Sequence, residues 1–245
     1  MKLSFSGFVV FATLVTVPAF ATDIPLKAPP PPVWTWTGIY FGLDAGYGAV
    51  TPNDPLTVTN NFGSTTTFPT TLHPTGAFAG AEIGANYQFN FLVVGLEADA
   101  QAANISGAYN NVFDTPGGNI ASRSMSVNAF GTLRGRIGLA LGPALLYGTG
   151  GFADTNISNF WQINSVATAQ QTTNKTGSVW GGGVEFALGN GNSVKAEYQY
   201  FNIGSFAATV PVIPPNGVII TGSPVRNDFQ TFRIGINHNF NWIGP

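Results

Sequence analysis

The stretch Ser178–Asn202, SVWGGGVEFALGNGNSVKAEYQYFN, constrains the fold more than any other part of the chain. Trp180, Gly182, Val184, Phe186 and Leu188 alternate with Gly181, Gly183, Glu185 and Ala187. Beyond a turn at Gly189-Asn190-Gly191-Asn192, Val194, Ala196, Tyr198 and Tyr200 alternate with Lys195, Glu197, Gln199 and Phe201. A period of two puts each set on one side of a sheet, and the Gly/Asn link supplies the positive φ angles of a tight hairpin. One side is apolar and aromatic. The other carries acid, base, amide and glycine. A soluble sandwich would bury the first and wet the second; an outer-membrane barrel would turn the first to lipid and the second to its lumen. A single hairpin is compatible with both.

Composition favours the membrane. Charged residues make up only 8% of the 245, against about a quarter in soluble proteins. The hydrophobic share, 44%, is ordinary, so glycine and small polar residues replace the charges. A surface with so few charges is poorly soluble, whereas a wall facing lipid has no such need. The net charge of −2 gives no footprint for nucleic acid, and the absence of cysteine excludes a disulfide framework and thiolate metal sites. Lys2, the apolar run Leu3–Val17 and Ala19-Phe20-Ala21 read as a secretory signal peptide over residues 1–21. Residues 22–35 read as a proline-rich periplasmic lead. No later stretch is apolar for the ~18 residues a membrane helix needs, which leaves strands to span residues 36–245.

Eight alternating segments follow: Trp36–Gly48, Thr75–Phe89, a third from Leu92 to Gln101, Ser124–Leu141, Ala144–Ala153, the two arms of the hairpin, and Asp228–Phe240. Segment 144–153 is apolar or glycine on both faces, so its facing stays open. Connections alternate strictly. Those at Ala49–Pro74, Ala103–Arg123, Asp154–Lys175 and Ile203–Arg226 are long and polar; those at Asn90, Gly142-Pro143 and Gly189–Asn192 are tight. The same alternation places Trp34, Trp36, Phe89, Phe91, Phe240 and Trp242 at the tight-turn end, as an aromatic girdle requires. The expected fold is all-β: an eight-stranded antiparallel up-and-down transmembrane β-barrel.

Three motifs carry a family likeness: TWTGIYFGLDAGYG after the proline-rich lead, GGGVEFALGNGNSVKAEYQYFNIG, and the closing FRIGINHNF. The chain resembles the alphaproteobacterial small outer-membrane barrels known as outer-membrane immunogenic or porin-family proteins, over nearly all of the expected mature chain. The resemblance implies an eight-stranded, surface-exposed barrel in the bacterial outer membrane, in contact with outer-membrane lipid. It also implies insertion by the barrel assembly machinery, which reads an alternating last strand ending in an aromatic residue. Here that signal falls on Phe232, Ile234, Ile236 and Phe240, with the chain running on to Pro245.

The inward register collects Asp44, Glu82, Glu97, Asp99, Glu185 and Glu197 with Arg134, Arg136, Lys195 and Arg233. Carboxylate pairs such as Glu185 and Glu197 have the chemistry for acid–base hydrolysis. An eight-stranded lumen, however, is only wide enough for side chains, and buried charges persist when paired. A structural ion network is therefore the expectation, with Arg134 and Arg136 paired to Glu82, Glu97 or Asp99. His73 and His238 have no metal-ligand neighbours in sequence. His238 falls in the outward register, where a Ser–His hydrolase is the sharp reading and a headgroup contact the plain one. Gly148-Thr149-Gly150-Gly151 lacks the Lys-Ser/Thr of a phosphate loop. No cofactor is expected. The function expected is a surface-exposed structural barrel whose loops are available for adhesion or recognition by a host or surface ligand; the alternative is a narrow porin.

Overall fold

The computed structural model describes residues 34–51, 56–59, 65–68, 72–113, 120–163, 167–206, 209–213, 218–221, 225–226 and 228–240. The expected signal peptide, most of the proline-rich lead, the turn cluster at 114–118 and the tail after Phe240 lie outside them. Eight strands form a closed antiparallel barrel: β1 Gly38–Val50, β2 Thr75–Phe89, β3 Leu92–Phe113, β4 Ile120–Leu141, β5 Ala144–Ile163, β6 Ala167–Gly189, β7 Asn192–Asn202 and β8 Phe229–Phe240. Each pairs with its neighbours in sequence, and β1 closes on β8 from Ile39↔Phe240 to Val50↔Phe229. Three tight turns join the strands at one end, each with a left-handed residue: Asn90 (φ 54°), Gly142 (φ 64°), and Asn190 with Gly191 (φ 52° and 79°).

Register fixes the shape of the barrel. From Ala129 the line of paired residues runs through Ala102, Ala79, Ala45, Ile234, Ala196, Val184 and Leu146. It returns to β4 at Leu139 rather than Ala129, a stagger of ten residues. Eight strands with that stagger tilt by about 40° from the axis, leaving an interior that side chains fill. The outward wall is apolar. Leu96 is 66% exposed and Phe152 75%, and Leu43, Ile83, Leu133, Ile137, Ile234 and Ile236 continue the surface around the barrel. A contiguous apolar belt on this scale is a lipid contact, not a water-facing surface. Phe89, Phe91 and Phe240 edge it at the turn end, and Tyr47, Phe152, Trp180, Tyr198, Tyr200 and Phe232 edge it towards the loops.

Strand lengths correct the sequence reading. Residues expected in loops continue the strands beyond the belt: Ala103–Phe113, Asp154–Ile163 and 167–177 lengthen β3, β5 and β6 by about ten residues each, and Ile120–Arg123 lengthens β4 by four. At ~3.3 Å per residue and this tilt, they rise roughly 25 Å above the lipid edge. The segments are rich in Thr, Ser and Asn. Outside the belt an outward face needs no apolar residues, so the alternation that identifies membrane strands fades while backbone pairing continues. Their inward side still carries apolar residues, Ile105 and Ile157, beside the buried polar Thr155 and Asn159. β1, β2, β7 and β8 end near the belt. The long connections between them contain short strands, and Leu56–Thr59 pairs with both Thr65–Phe68 and Val218–Thr221, tying the first loop to the last. β5, left open by the sequence, faces Leu145, Tyr147, Thr149, Ala153 and Thr155 inward.

The extension generates a measurable expectation. Backbone amides of Asp154–Ile163 should exchange with solvent ~100-fold more slowly than free peptide, as paired strands with about 3 kcal/mol of local stability do. Exchange at the free-peptide rate would restore the loop reading.

Candidate functional site

The lumen is built in three layers, each set by which residue of an alternating pair points inward. The middle layer holds all ten charged residues selected from the sequence, none more than 8% exposed. Arg134 on β4 stands directly across the strand pair from Glu97. Its guanidinium bonds Glu97 on β3 and Glu197 on β7, and lies 2.9 Å from Asp99. Its Nε donates to Thr132 Oγ1 at 2.8 Å, and Nη1 to Thr149 Oγ1 at 3.2 Å. Arg233, arriving from β8, lies 3.2 Å from Glu197, 3.3 Å from Glu97, and 3.5 Å from both Asp44 and Asp99. Lys195 reaches over to Glu82 and approaches Glu197 at 3.5 Å and Glu97 at 3.6 Å. Glu97 and Glu197 are thus shared acceptors for cations from several strands.

Arg136 takes a separate partner. It bonds Glu185, and its guanidinium carbon sits 3.7 Å from the centroid of the Tyr147 ring, in cation–π range. The expected pairing of Arg136 with Glu97 exists only as a 3.8 Å approach. Glu82, expected beside Arg134 or Arg136, goes instead to Lys195, with Arg233 at 3.8 Å. Neutral donors serve some of the acid oxygens, while Asp44 Oδ1, Glu82 Oε1 and Asp99 Oδ1 are buried with no hydrogen-bond partner. Tyr40 donates to Glu97 Oε2 at 2.5 Å and Tyr147 to Glu197 Oε2 at 3.0 Å; Ser193 and Asn237 donate to Glu185 Oε1 at 2.5 and 3.0 Å. Alternation along Trp36–Gly48 puts Tyr40 on the same face as Asp44, and Tyr147 lies in the segment whose facing the pattern leaves open. The signal for Tyr40 was a phenol in a register otherwise made of glycine and charge.

The two outer layers are apolar and were not anticipated. At the loop end Phe78, Phe130, Phe201 and Phe229 meet inside the barrel, with Phe201 stacked on Phe229 at 4.1 Å and Phe130 edge-on to the other three at 5.1 to 5.7 Å. Val50, Ile105, Met125, Val127, Ile157 and Val179 surround them. At the turn end Trp36, Val93, Leu145 and Tyr147 cluster, with Trp34 packed against them edge-on to Trp36 at 5.5 Å. This corrects the girdle reading for Trp36. It is 2% exposed because the chain enters the barrel mouth before β1 begins, so its ring caps the ionic layer. Trp242 lies outside the described residues.

Elsewhere the geometry is plain. Phe232, Ile234, Ile236 and Phe240 all face outward and are exposed on β8. His238 also faces outward, 2.9 Å from Asn192 Oδ1 and edge-on to Phe240 at 4.7 Å. The neighbouring Ser193 turns inward to Glu185. His73 is exposed. Among the described residues no group of His, Cys, Asp and Glu has a metal-binding arrangement.

Removing one partner from a buried ion network leaves the others uncompensated, so Arg134→Ala should destabilise the barrel by about 3–5 kcal/mol. Ala196→Val, on the lipid-facing wall, should change it by less than ~0.5 kcal/mol. Urea unfolding of the refolded protein in lipid measures both; equal effects would contradict the inward register.

The model of the outer membrane protein β-barrel domain matches residues 8–240. The 31 kDa outer-membrane immunogenic protein of Brucella melitensis is 28% identical, with 94% of this chain and 96% of that protein covered. The 22 kDa outer membrane protein of Rhizobium leguminosarum bv. viciae is 29% identical, covering 71% of this chain and 67% of its own length. Among solved structures, the outer membrane protein OprG of Pseudomonas aeruginosa covers 83% of this chain and 96% of its own at 15% identity, with a TM-score of 0.49. The closed barrel, its lipid belt and a family match over most of its length lead to one assignment: this chain is an outer-membrane protein and belongs to the outer membrane protein β-barrel domain family.

Proposed function

We propose that this chain is a closed, non-catalytic structural barrel that holds a rigid, largely uncharged extension outside the outer membrane for adhesion or recognition. The observation that carries this reading is the occupied lumen. Aromatic clusters lie at both ends of an ionic layer whose side chains bind one another. A pore needs an open, wetted path with sites that ions can enter and leave, and here the charges already serve as each other's ligands. A hydrolytic role for Glu185 and Glu197 meets the same objection, since both accept from Arg, Ser, Asn or Tyr donors and are at most 4% exposed.

The tall wall of β3–β6 and the paired first and last loops supply the presenting surface. Short turns at one end and long connections at the other support an orientation with that surface outside and the turns at the periplasm, by the asymmetry usual in such barrels. The Brucella relatives carry the name immunogenic, which fits exposure of the equivalent loops. Contacts with the assembly machinery through Phe232, Ile234, Ile236 and Phe240, and with a host or surface ligand through the loops, belong to this reading.

Planar-bilayer recording of the refolded protein is expected to show no steady channels at neutral pH. Sustained conductance that widens on Arg134→Ala or Glu197→Ala would establish the pore instead. Protease added to intact cells should cut within residues 51–74 or 203–228. Cleavage in the proline-rich lead would reverse the orientation.

A further inference from the structure

We propose that the outer wall of β3–β6, where the lipid belt gives way to the polar extension, holds a subsite for the neutral sugar headgroup of a glycolipid in the surrounding leaflet. Two adjoining depressions of about 520 and 510 Å³ meet there, sharing Gly131 and Asp154. Both are shallow and open to the surface rather than enclosed. The lower one is walled by Leu133 and Phe152, 59% and 75% exposed, both part of the lipid-facing belt. The upper one has a floor of Ala100, Ala102, Ala129 and Gly131 beneath Asp154, Asn156 and Asn174. A methyl group at Gly131 would come 3.1 Å from Asp99 O, so glycine keeps the floor shared by both depressions low.

The upper depression has the chemistry of a pyranose site. A low Ala/Gly floor accepts the C–H face of a sugar ring, and planar amide and carboxylate groups beside it suit hydroxyls that both donate and accept. The amides are preset. Asn128 Nδ2 donates to Asn156 Oδ1 at 3.3 Å and Ser158 Oγ at 3.0 Å, and Asn156 Nδ2 donates to Asn174 Oδ1 at 2.7 Å. The ladder holds three amides in fixed orientation across β4–β6, which lowers the ordering cost of binding. It turns the Asn174 amide nitrogen into the terminal donor, with the Asp154 carboxylate as the nearby acceptor. Adjacent hydroxyls of a hexose match that pair: one accepts from Asn174 while the next donates to Asp154.

Charge decides the headgroup class. Among the described residues no lysine or arginine lines either depression, and the only charged outward rim residue is the carboxylate of Asp154. A phosphate headgroup would meet repulsion without a cation to bind it. Position decides the source. The polar depression opens directly onto the Leu133–Phe152 depression, so one molecule can lay its acyl chains along the belt and its sugar on the ladder. A free sugar would use only the upper half.

The test is retention of lipid by the full barrel, measured by native mass spectrometry after release from nanodiscs. The discs contain equal amounts of monoglucosyl diacylglycerol, phosphatidylglycerol and phosphatidylcholine. The glucolipid should be retained at least ~10-fold over phosphatidylglycerol, a difference of about 1.4 kcal/mol. Asp154→Ala combined with Asn174→Ala should abolish the preference while leaving the unfolding midpoint unchanged, because both side chains are exposed and outside the lumen network. Millimolar free glucose should not displace the lipid. Equal retention of the three lipids, preference for phosphatidylglycerol, or an undiminished preference in the double variant would overturn the site. Displacement by glucose would overturn its assignment to a lipid-borne sugar.

Discussion

The interior of an eight-stranded barrel with a ten-residue stagger is too narrow to be a water-filled channel and too polar, in this chain, to be an oil-filled core. That constraint dictates the rest. Glu97 and Glu197 sit where cations from β4, β7 and β8 converge, so each charge that enters the lumen finds a partner from another strand. Desolvating a single such ion costs several kcal/mol. The network is tolerable because each of its charges faces an opposite one, and it acts as a lock: slipping one strand by one residue would turn its charges out to lipid and strip their partners.

Much of this was legible in the sequence because alternation with a period of two is robust to tertiary context. It assigned inward and outward faces on β1–β4 and β6–β8, and it collected the ten lumen charges. What it did not contain was the partner list. Glu185 stands directly across β6–β7 from Lys195, yet Glu185 bonds Arg136 and Lys195 bonds Glu82. Contacts across a lumen depend on the stagger, which no local pattern carries. The facing of β5 was hidden for a different reason: Gly148, Gly150 and Gly151 give neither side a chemical identity, and only Tyr147 and Thr149, tied to Glu197 and Arg134, settle it. The extension of β3–β6 was missed because the polar/apolar contrast that marks a membrane strand loses its outward half above the lipid.

The two apolar layers link packing to function. Phe130, Phe201 and Phe229 close the loop end, and Trp36 closes the turn end. Between them the charges are held away from water, which strengthens their mutual attraction and makes the barrel a rigid base. A rigid base suits the asymmetric top, where β3–β6 stand above the belt and the first and last loops are joined by pairing of Val58 with Ile220. The wall is therefore a fixed surface rather than a set of independent loops, with an amide ladder already ordered across three strands.

The central claim is that the ionic layer is sealed from water on both sides. Thr149 lies within it, 8% exposed and bonded to Arg134, and the chain has no cysteine of its own. A Thr149→Cys variant reconstituted in liposomes and treated with a charged, membrane-impermeant thiol reagent reports directly on that seal. The account predicts that the thiol stays unmodified over hours in the folded barrel and reacts fully once the protein is unfolded. Rapid modification in the folded state would show an open lumen and contradict it.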